Sequence, residues 1–207
     1  MELKPGYKQT EAGVIPEDWD AVVLGELFTF KNGLNKAKQF FGYGTPIVNY
    51  MDVYRKRGLS ARDLQGRVTV RKQELKSFEV RKGDVFFTRT SETAEEVGIT
   101  SVMLDESPAT VFSGFVLRAR PKGDTLDDDF KKYCFSTSLV RKQITSQSTE
   151  TTRALTNGRH LSAVVIARPT KPEQRAIAGA LGDVDALLGA LTQLIAKKSD
   201  LKQAAMQ

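Results

Sequence analysis

The chain has 207 residues, 40% of them hydrophobic, which suffices for one substantial core with a projecting element and is crowded for two full domains. A formal charge of +6 and a pI near 9.4 favour a polyanionic partner. One cysteine, Cys134, and one histidine, His160, exclude an internal disulfide and leave too few ligands for a tetrahedral zinc site.

The first thirty residues interrupt every apolar run with charge or proline, so no signal peptide or membrane span is legible there and the cytoplasm is the expected location. Short β-branched and aromatic runs follow, bounded by Gly, Pro or charge. They predict strands at Pro46 to Tyr50, Arg67 to Val70, Asp84 to Thr88, Ile99 to Leu104, Thr110 to Leu117 and Ala163 to Ala167. A helical stretch from Phe130 to Ile144, entered through Asp127-Asp128-Asp129, interrupts them and suggests an α+β domain of mixed or antiparallel strands.

The pattern changes once, near Pro169, which divides the chain into 1–169 and 170–207. Thr170 and Glu173 form a capping-box sequence around Pro172, and a helix is predicted from Lys171 to Ala205. Ile177, Leu181, Val184, Leu188, Leu191 and Ile195 recur at alternating four- and three-residue steps, the spacing of a coiled-coil seam. At about 1.5 Å per residue the helix is about 50 Å long, too long to lie within a small domain. Gly179, Gly182 and Gly189 weaken it by about 1 kcal/mol each relative to alanine, so it needs a partner surface. The plainer alternative is a terminal helix folded back on its own domain.

Basic residues cluster. Between Lys31 and Lys72 ten cations, among them Lys36, Lys38, Arg55, Lys56, Arg57 and Arg62, face only Asp52 and Asp63. Local basicity of this kind is the footprint of a phosphate-binding face. Tyr43, Tyr50 and Tyr54 interleave with the cations and offer contacts to base edges, although some aromatic residues of the segment must be core. Gly42-Tyr43-Gly44 is expected to be a turn. A second polar cluster, Thr88-Arg89-Thr90-Ser91, follows a strand; Arg89 faces either nucleic acid or an ion pair with Glu92, Glu95 or Glu96. A third comprises Thr151-Thr152-Arg153 and Asn157-Gly158-Arg159-His160, in which Asn-Gly reads as a turn.

No catalytic constellation is legible: there is no glycine fingerprint after a strand, no phosphate-binding loop, no paired-metal carboxylates and no Asn-Pro-Pro-aromatic segment. Gly83-Asp84 reads as a turn into a strand, and His160 as a surface or capping residue.

Several motifs, in order, resemble the specificity subunits of type I restriction-modification systems. These are Tyr7 to Trp19 with Leu24-Gly25-Glu26; Lys82 to Ser91 with Glu96-Val97-Gly98; Phe112-Ser113-Gly114-Phe115; Arg168 to Ala178; and Leu194 to Gln207. The resemblance spans essentially the whole chain and corresponds to one half of a usual member, a single target recognition domain with one helical spacer. It departs from the family in reading Arg168-Pro169-Thr170-Lys171-Pro172 where Pro-Leu-Pro is common.

The resemblance implies a non-catalytic subunit that reads one part of a split site in double-stranded DNA and docks methyltransferase subunits. Those subunits carry S-adenosylmethionine, and a restriction/translocase subunit is a further partner. The chain itself then needs no cofactor and no membrane. A half-sized chain implies a homodimer through the spacer helices. The reading residues expected are Lys36, Lys38, Tyr43, Arg55, Lys56, Arg57, Arg62, Arg89, Ser91, Arg153, Asn157 and Arg159. The competing expectation is a dimeric helical adaptor that binds protein, with its charge serving solubility.

Overall fold

A computed structural model describes residues 3–146, 149–150 and 154–206. In chain order the elements are β1 (Tyr7–Thr10), β2 (Gly13–Pro16), β3 (Asp20–Val23), α1 (Leu24–Leu27), β4 (Phe28–Asn32), β5 (Phe41–Val48), α2 (Tyr50–Arg55), β6 (Gly58–Leu59), β7 (Arg67–Val68) and α3 (Lys72–Ser77). There follow β8 (Val85–Thr88), β9 (Thr90–Ser91), β10 (Thr100–Met103), β11 (Val111–Phe112), β12 (Val116–Pro121), α4 (Asp128–Cys134) and α5 (Ser138–Ser146). The chain closes with β13 (Thr149–Glu150), β14 (Ala154–Leu155), α6 (Gly158–Ser162), β15 (Val165–Arg168) and α7 (Lys171–Ala205). The architecture is α+β, a globular domain followed by one long helix.

A five-stranded sheet in the order β4-β12-β8-β10-β6 is antiparallel except for the parallel β10/β6 pair. All four residues of β8 are buried, as a central strand covered on both faces requires. Because side chains alternate, Val85 and Phe87 join one core with Phe28, Phe130, Phe135 and Leu161, while Phe86 joins a second with Val48, Val53 and Phe112. Smaller sheets, β11-β5-β7 and β13-β14-β9, flank this frame.

Asp84 enters β8 from the left-handed turn at Gly83 (φ 80°) and is fully buried. Its carboxylate accepts from the Arg81 amide (2.8 Å), from Arg120 Nε (2.8 Å) and from Arg120 Nη2 (2.7 Å), so the expected turn into a strand is also an ionic clasp across the sheet. Burial opposes the charged form of Arg120, but hydrogen bonding and attraction to Asp84 prevail and raise its pKa.

Four expectations are corrected in detail. The strand expected at Pro46 to Tyr50 begins earlier and ends at Val48, because Asn49 starts α2 with Asp52 accepting from its amide at 2.8 Å. The run Thr110 to Leu117 is two strands, β11 and β12, divided by Ser113-Gly114-Phe115. The helix Phe130 to Ile144 is two helices, since Thr137 offers a second start: its hydroxyl accepts from the Val140 amide at 3.4 Å. Gly42-Tyr43-Gly44 is an irregularity within β5 rather than a separate turn, with both Phe41 and Thr45 aligned on Val68.

Helix α7 runs from Lys171 to Ala205, as its cap and periodicity predict. Glu173 accepts from the Thr170 amide (3.1 Å) and hydroxyl (2.7 Å), and also from Trp19 Nε1 (3.1 Å). These bonds, that of the Thr170 side chain foremost, lower its pKa. Gln174 and Ala178 are buried and Ile177 packs against the main core, so the first two turns belong to the globule. From Leu181 outward the apolar side chains are exposed, Leu181 to 40% and Ile195 to 69%. The helix therefore projects instead of folding back.

Replacing Asp84 with alanine takes two hydrogen bonds from the partly buried Arg120 guanidinium, which keeps Glu79, and removes the acceptor of the Arg81 amide. Breaking one side of a buried pair costs about 3–5 kcal/mol. Because Arg120 keeps Glu79, urea unfolding of Asp84→Ala should show a loss near the lower end of that range.

A polar surface assembled from three segments

The three polar clusters of the sequence are brought together by β9. Immediately after β8, Arg89 leads into β9, which pairs with β14 in the register Ala154↔Ser91 and Leu155↔Thr90. The Thr156 amide donates to the Arg89 carbonyl at 3.0 Å. The strand-end cluster and the segment preceding Asn157 thus form one sheet. Thr151, Thr152 and Arg153 lie outside the described residues.

The basic segment joins them through Glu96, in the 3-10 turn Ala94–Glu96. Its Oε2 accepts from Ser91 Oγ at 2.6 Å and its Oε1 from Tyr54 Oη at 2.8 Å. Tyr54 stacks on Tyr50 one helical turn back, with ring centroids 5.8 Å apart and planes inclined by 16°. Two neighbouring clefts result. One, of about 440 Å³, is lined by Tyr54, Arg55, Lys56, Arg57, Glu95 and Arg141 among others. The other, of about 290 Å³, is lined by Tyr50, Thr90, Ser91, Glu92, Glu96 and Phe115.

Phe115 is 64% exposed. The backbone around it is held by a close approach: the Gly114 amide donates to the Leu34 carbonyl at 2.9 Å, and a Cβ on Gly114 would stand 2.0 Å from Asn35 Oδ1. A side chain there would have to displace Asn35 and crowd the Leu34 carbonyl at 3.3 Å. The loop carrying Phe115 is thereby tied to the stretch that leads to Lys36 and Lys38.

The cations divide into two groups. Among the described residues Lys38, Arg55, Arg62 and Arg159 are exposed without a side-chain hydrogen bond or close ion pair, and Tyr43 is 63% exposed. Lys36, by contrast, is 11% exposed, pairs with Glu74 at 2.9 Å and lies 4.6 Å from the Phe40 ring centroid. Lys56 pairs with Asp63 at 2.5 Å. Arg57 donates to Ser136 Oγ at 3.2 Å, and its Nε lies 3.8 Å from Asp185 of α7. Elsewhere in the segment Lys31 donates to the Ser77 carbonyl and Arg67 to those of Leu64 and Gly66. The sequence count therefore overstates the charge open to a polyanion, because several cations close the domain's own loops.

The other expected readers divide as well. Ser91 is buried beneath Glu96 and orients that carboxylate. Asn157 caps α6, its Oδ1 accepting from the His160 amide at 3.0 Å. Arg89 forms none of the ion pairs considered for it among the described residues; its Nη1 reaches only the Gly114 carbonyl, at 3.5 Å, and its Nε is buried without a partner. The sequence reading did not select Glu96 or Phe115. Their signal lay in the motifs Glu96-Val97-Gly98 and Phe112 to Phe115, which carry no chemistry until the fold brings them together.

The family model described as "Type I restriction modification DNA specificity domain" matches residues 16–201. The chain belongs to this family. It is 23% identical over 206 residues to the putative type I restriction enzyme MjaX specificity subunit of Methanocaldococcus jannaschii, covering 97% of this chain and 47% of that protein. It is 27% identical over 191 residues to the MjaIX specificity subunit of the same organism, covering 88% and 41%. Among solved structures, the S subunit of M. genitalium superposes with a TM-score of 0.58 at 17% identity, covering 94% of this chain and 44% of that one. The HsdS subunit of Thermoanaerobacter tengcongensis gives 0.61 at 18% identity, covering 91% and 42%. A chain from a structure of complex assembly in the type I R-M system gives 0.67 at 20%, covering 91% and 44%. These likenesses show a shared fold, and this specificity-family chain spans just under half the length of the curated relatives it matches.

Hydrogen bonds from the Arg71 amide and from Lys36 lower the pKa of Glu74 from 4.5 to about 2. A depressed carboxylate pKa adds stability above the unfolded value, and this is lost as pH falls through the folded one. Lys36→Ala should therefore lower the urea midpoint at pH 7, leave it nearly unchanged below pH 2, and not alter affinity for duplex DNA.

Proposed function

We propose that this specificity-family chain reads one segment of a bipartite DNA site and performs no chemistry itself. The observation that carries the reading is the convergence of three sequence-distant polar segments through the β9/β14 pairing and the bonds of Ser91 and Tyr54 to Glu96, beside the exposed cation Arg55. A reader needs phosphate-positioning cations next to side chains that address base edges, and this surface offers both. Lys38, Arg55, Arg62 and Arg159 are the phosphate contacts of this reading.

Adenine modification and its S-adenosylmethionine reside, in this reading, on methyltransferase subunits docked by the chain, with a restriction/translocase subunit as a further partner. The chain's own part is to place those subunits on a chosen sequence in the cytoplasm.

The outer part of α7 is the dimerisation element. Leu181, Val184, Leu188, Leu191 and Ile195 form a continuous exposed stripe, widened by Leu187 and Leu194, that water disfavours on a lone chain. Ile177 is excluded from the seam because it packs on its own core. Beyond Asp185, the last residue tied to the domain, the rod from Ala186 to Ala205 is about 30 Å long, so an antiparallel twofold pair would separate two reading heads by roughly one DNA turn, about 34 Å. Such a dimer reads an interrupted palindrome. By length and composition α7 also passes for a membrane span, with a mean hydropathy of 1.2 over its most apolar window. Asp183 and Asp185 fall inside the apolar stretch, and an aspartate at a bilayer centre costs about 2.5–3.5 kcal/mol, which favours a helix pair in water.

Two experiments test this reading. In anisotropy titrations across salt, wild-type affinity for duplex DNA should fall steeply. Changing Lys38, Arg55 and Arg62 together to alanine should weaken binding to all sequences and flatten the log–log slope by up to about three, at about 0.9 per lost phosphate contact. Salt-independent binding would overturn the DNA assignment. In sedimentation at micromolar concentration, the wild type should run as a dimer and Leu188→Asp with Leu191→Asp as a monomer; a monomeric wild type removes the twofold arrangement.

A further inference from the structure

We infer that the cleft between β9, the Ala94–Glu96 turn and Phe115 is a base-reading site in which the Glu96 carboxylate accepts a hydrogen bond from the exocyclic amino group of a cytosine. The inference rests on the DNA-reading assignment and specifies its chemistry.

An acidic side chain on a surface that meets phosphates is unfavourable unless it finds a donor there. Glu96 is not left free to swing away from a duplex. Ser91 and Tyr54 each donate to a different carboxylate oxygen, at 2.6 and 2.8 Å, and Tyr54 is itself held by stacking on Tyr50. Each oxygen can accept more than one hydrogen bond, so the pinned carboxylate remains an oriented acceptor at negligible entropic cost on binding. The two bonds lower its pKa, that from Ser91 foremost, and keep it ionised near neutral pH.

The chemistry of the major groove selects the base. Cytosine presents its N4 amino donor alone, whereas adenine sets the N7 acceptor beside its N6 donor, and guanine and thymine present acceptors. A carboxylate, which only accepts, suits cytosine and opposes the N7 of adenine. Phe115, 64% exposed and lining the same cleft, supplies an apolar surface for the pyrimidine C5 edge. Arg55, which lines the neighbouring cleft together with Tyr54, would supply a phosphate contact that holds the register.

The test is selection of binding sites from a randomised duplex library by the full chain and its variants. The wild type should show a position that prefers cytosine by about tenfold. Glu96→Gln should move that one position toward adenine, whose N6/N7 edge a glutamine meets with two hydrogen bonds, and leave the other positions as they were. Ser91→Ala and Tyr54→Phe, which unpin the carboxylate without removing it, should partly relax the same position; they carry the test if Glu96→Gln melts at a lower temperature. Affinity for non-specific duplex should be unchanged or slightly higher in Glu96→Gln. An unaltered preference profile in folded Glu96→Gln, or a uniform loss at every position, overturns this inference while leaving the DNA-reading assignment intact. A wild type that selects no sequence overturns both.

Discussion

Gln174 sits buried one turn into α7, and its amide is fully engaged: Oε1 accepts from the Asp127 amide at 2.8 Å, while Nε2 donates to the carbonyls of Thr125 and Pro169 at 3.2 and 2.9 Å. A buried primary amide tolerates few orientations, because each lost bond leaves a desolvated polar group. Around it Trp19 holds Glu173, Lys171 pairs with Asp124, and Tyr133 donates to Asp185. This cluster sets the direction in which a 35-residue helix leaves the domain. The spacing of two domains in the proposed dimer depends on that direction, since an angular change at the base grows along the rod.

The five-stranded sheet performs the corresponding service for the surface. A central strand buried on both faces cannot shift register without turning Phe86 and Phe87 into the wrong cores. Arg89, Thr90 and Ser91 emerge from its end with their places settled, and β14 docks there rather than at an arbitrary loop. The polar surface is thus made of short, irregular pieces whose positions derive from a rigid frame, an arrangement suited to varying what is read without altering the scaffold.

Charge shows how such a surface differs from a list of basic residues. Lys36, Lys56, Arg57 and Lys31 all count toward the basicity of the segment, yet each has a partner within its own domain. Such bonds close the domain's own loops, with Lys31 and Lys36 also lying over the rings of Phe78 and Phe40. They also leave fewer cations open to phosphates, and so a shallower dependence of binding on salt than a count of Lys and Arg would suggest.

Much of the design is local and therefore legible in the amino-acid order: the cap at Thr170, the 35-residue helix, its apolar stripe and the core strand around Phe86 all follow from near-neighbour rules of periodicity and capping. Ordered motifs along the chain also marked the family. What the order of residues could not settle was pairing at a distance. It gave no sign that Ser91 and Asn157 bond to their neighbours, or that Glu96 and Phe115 line one cleft, which they do only when β9, α2 and the Gly114 loop pack together. Helix and strand propensity act over a few residues, whereas hydrogen-bond partners, burial and the neighbours of a charge are properties of the assembled fold, and those alone decided which polar side chains face outward.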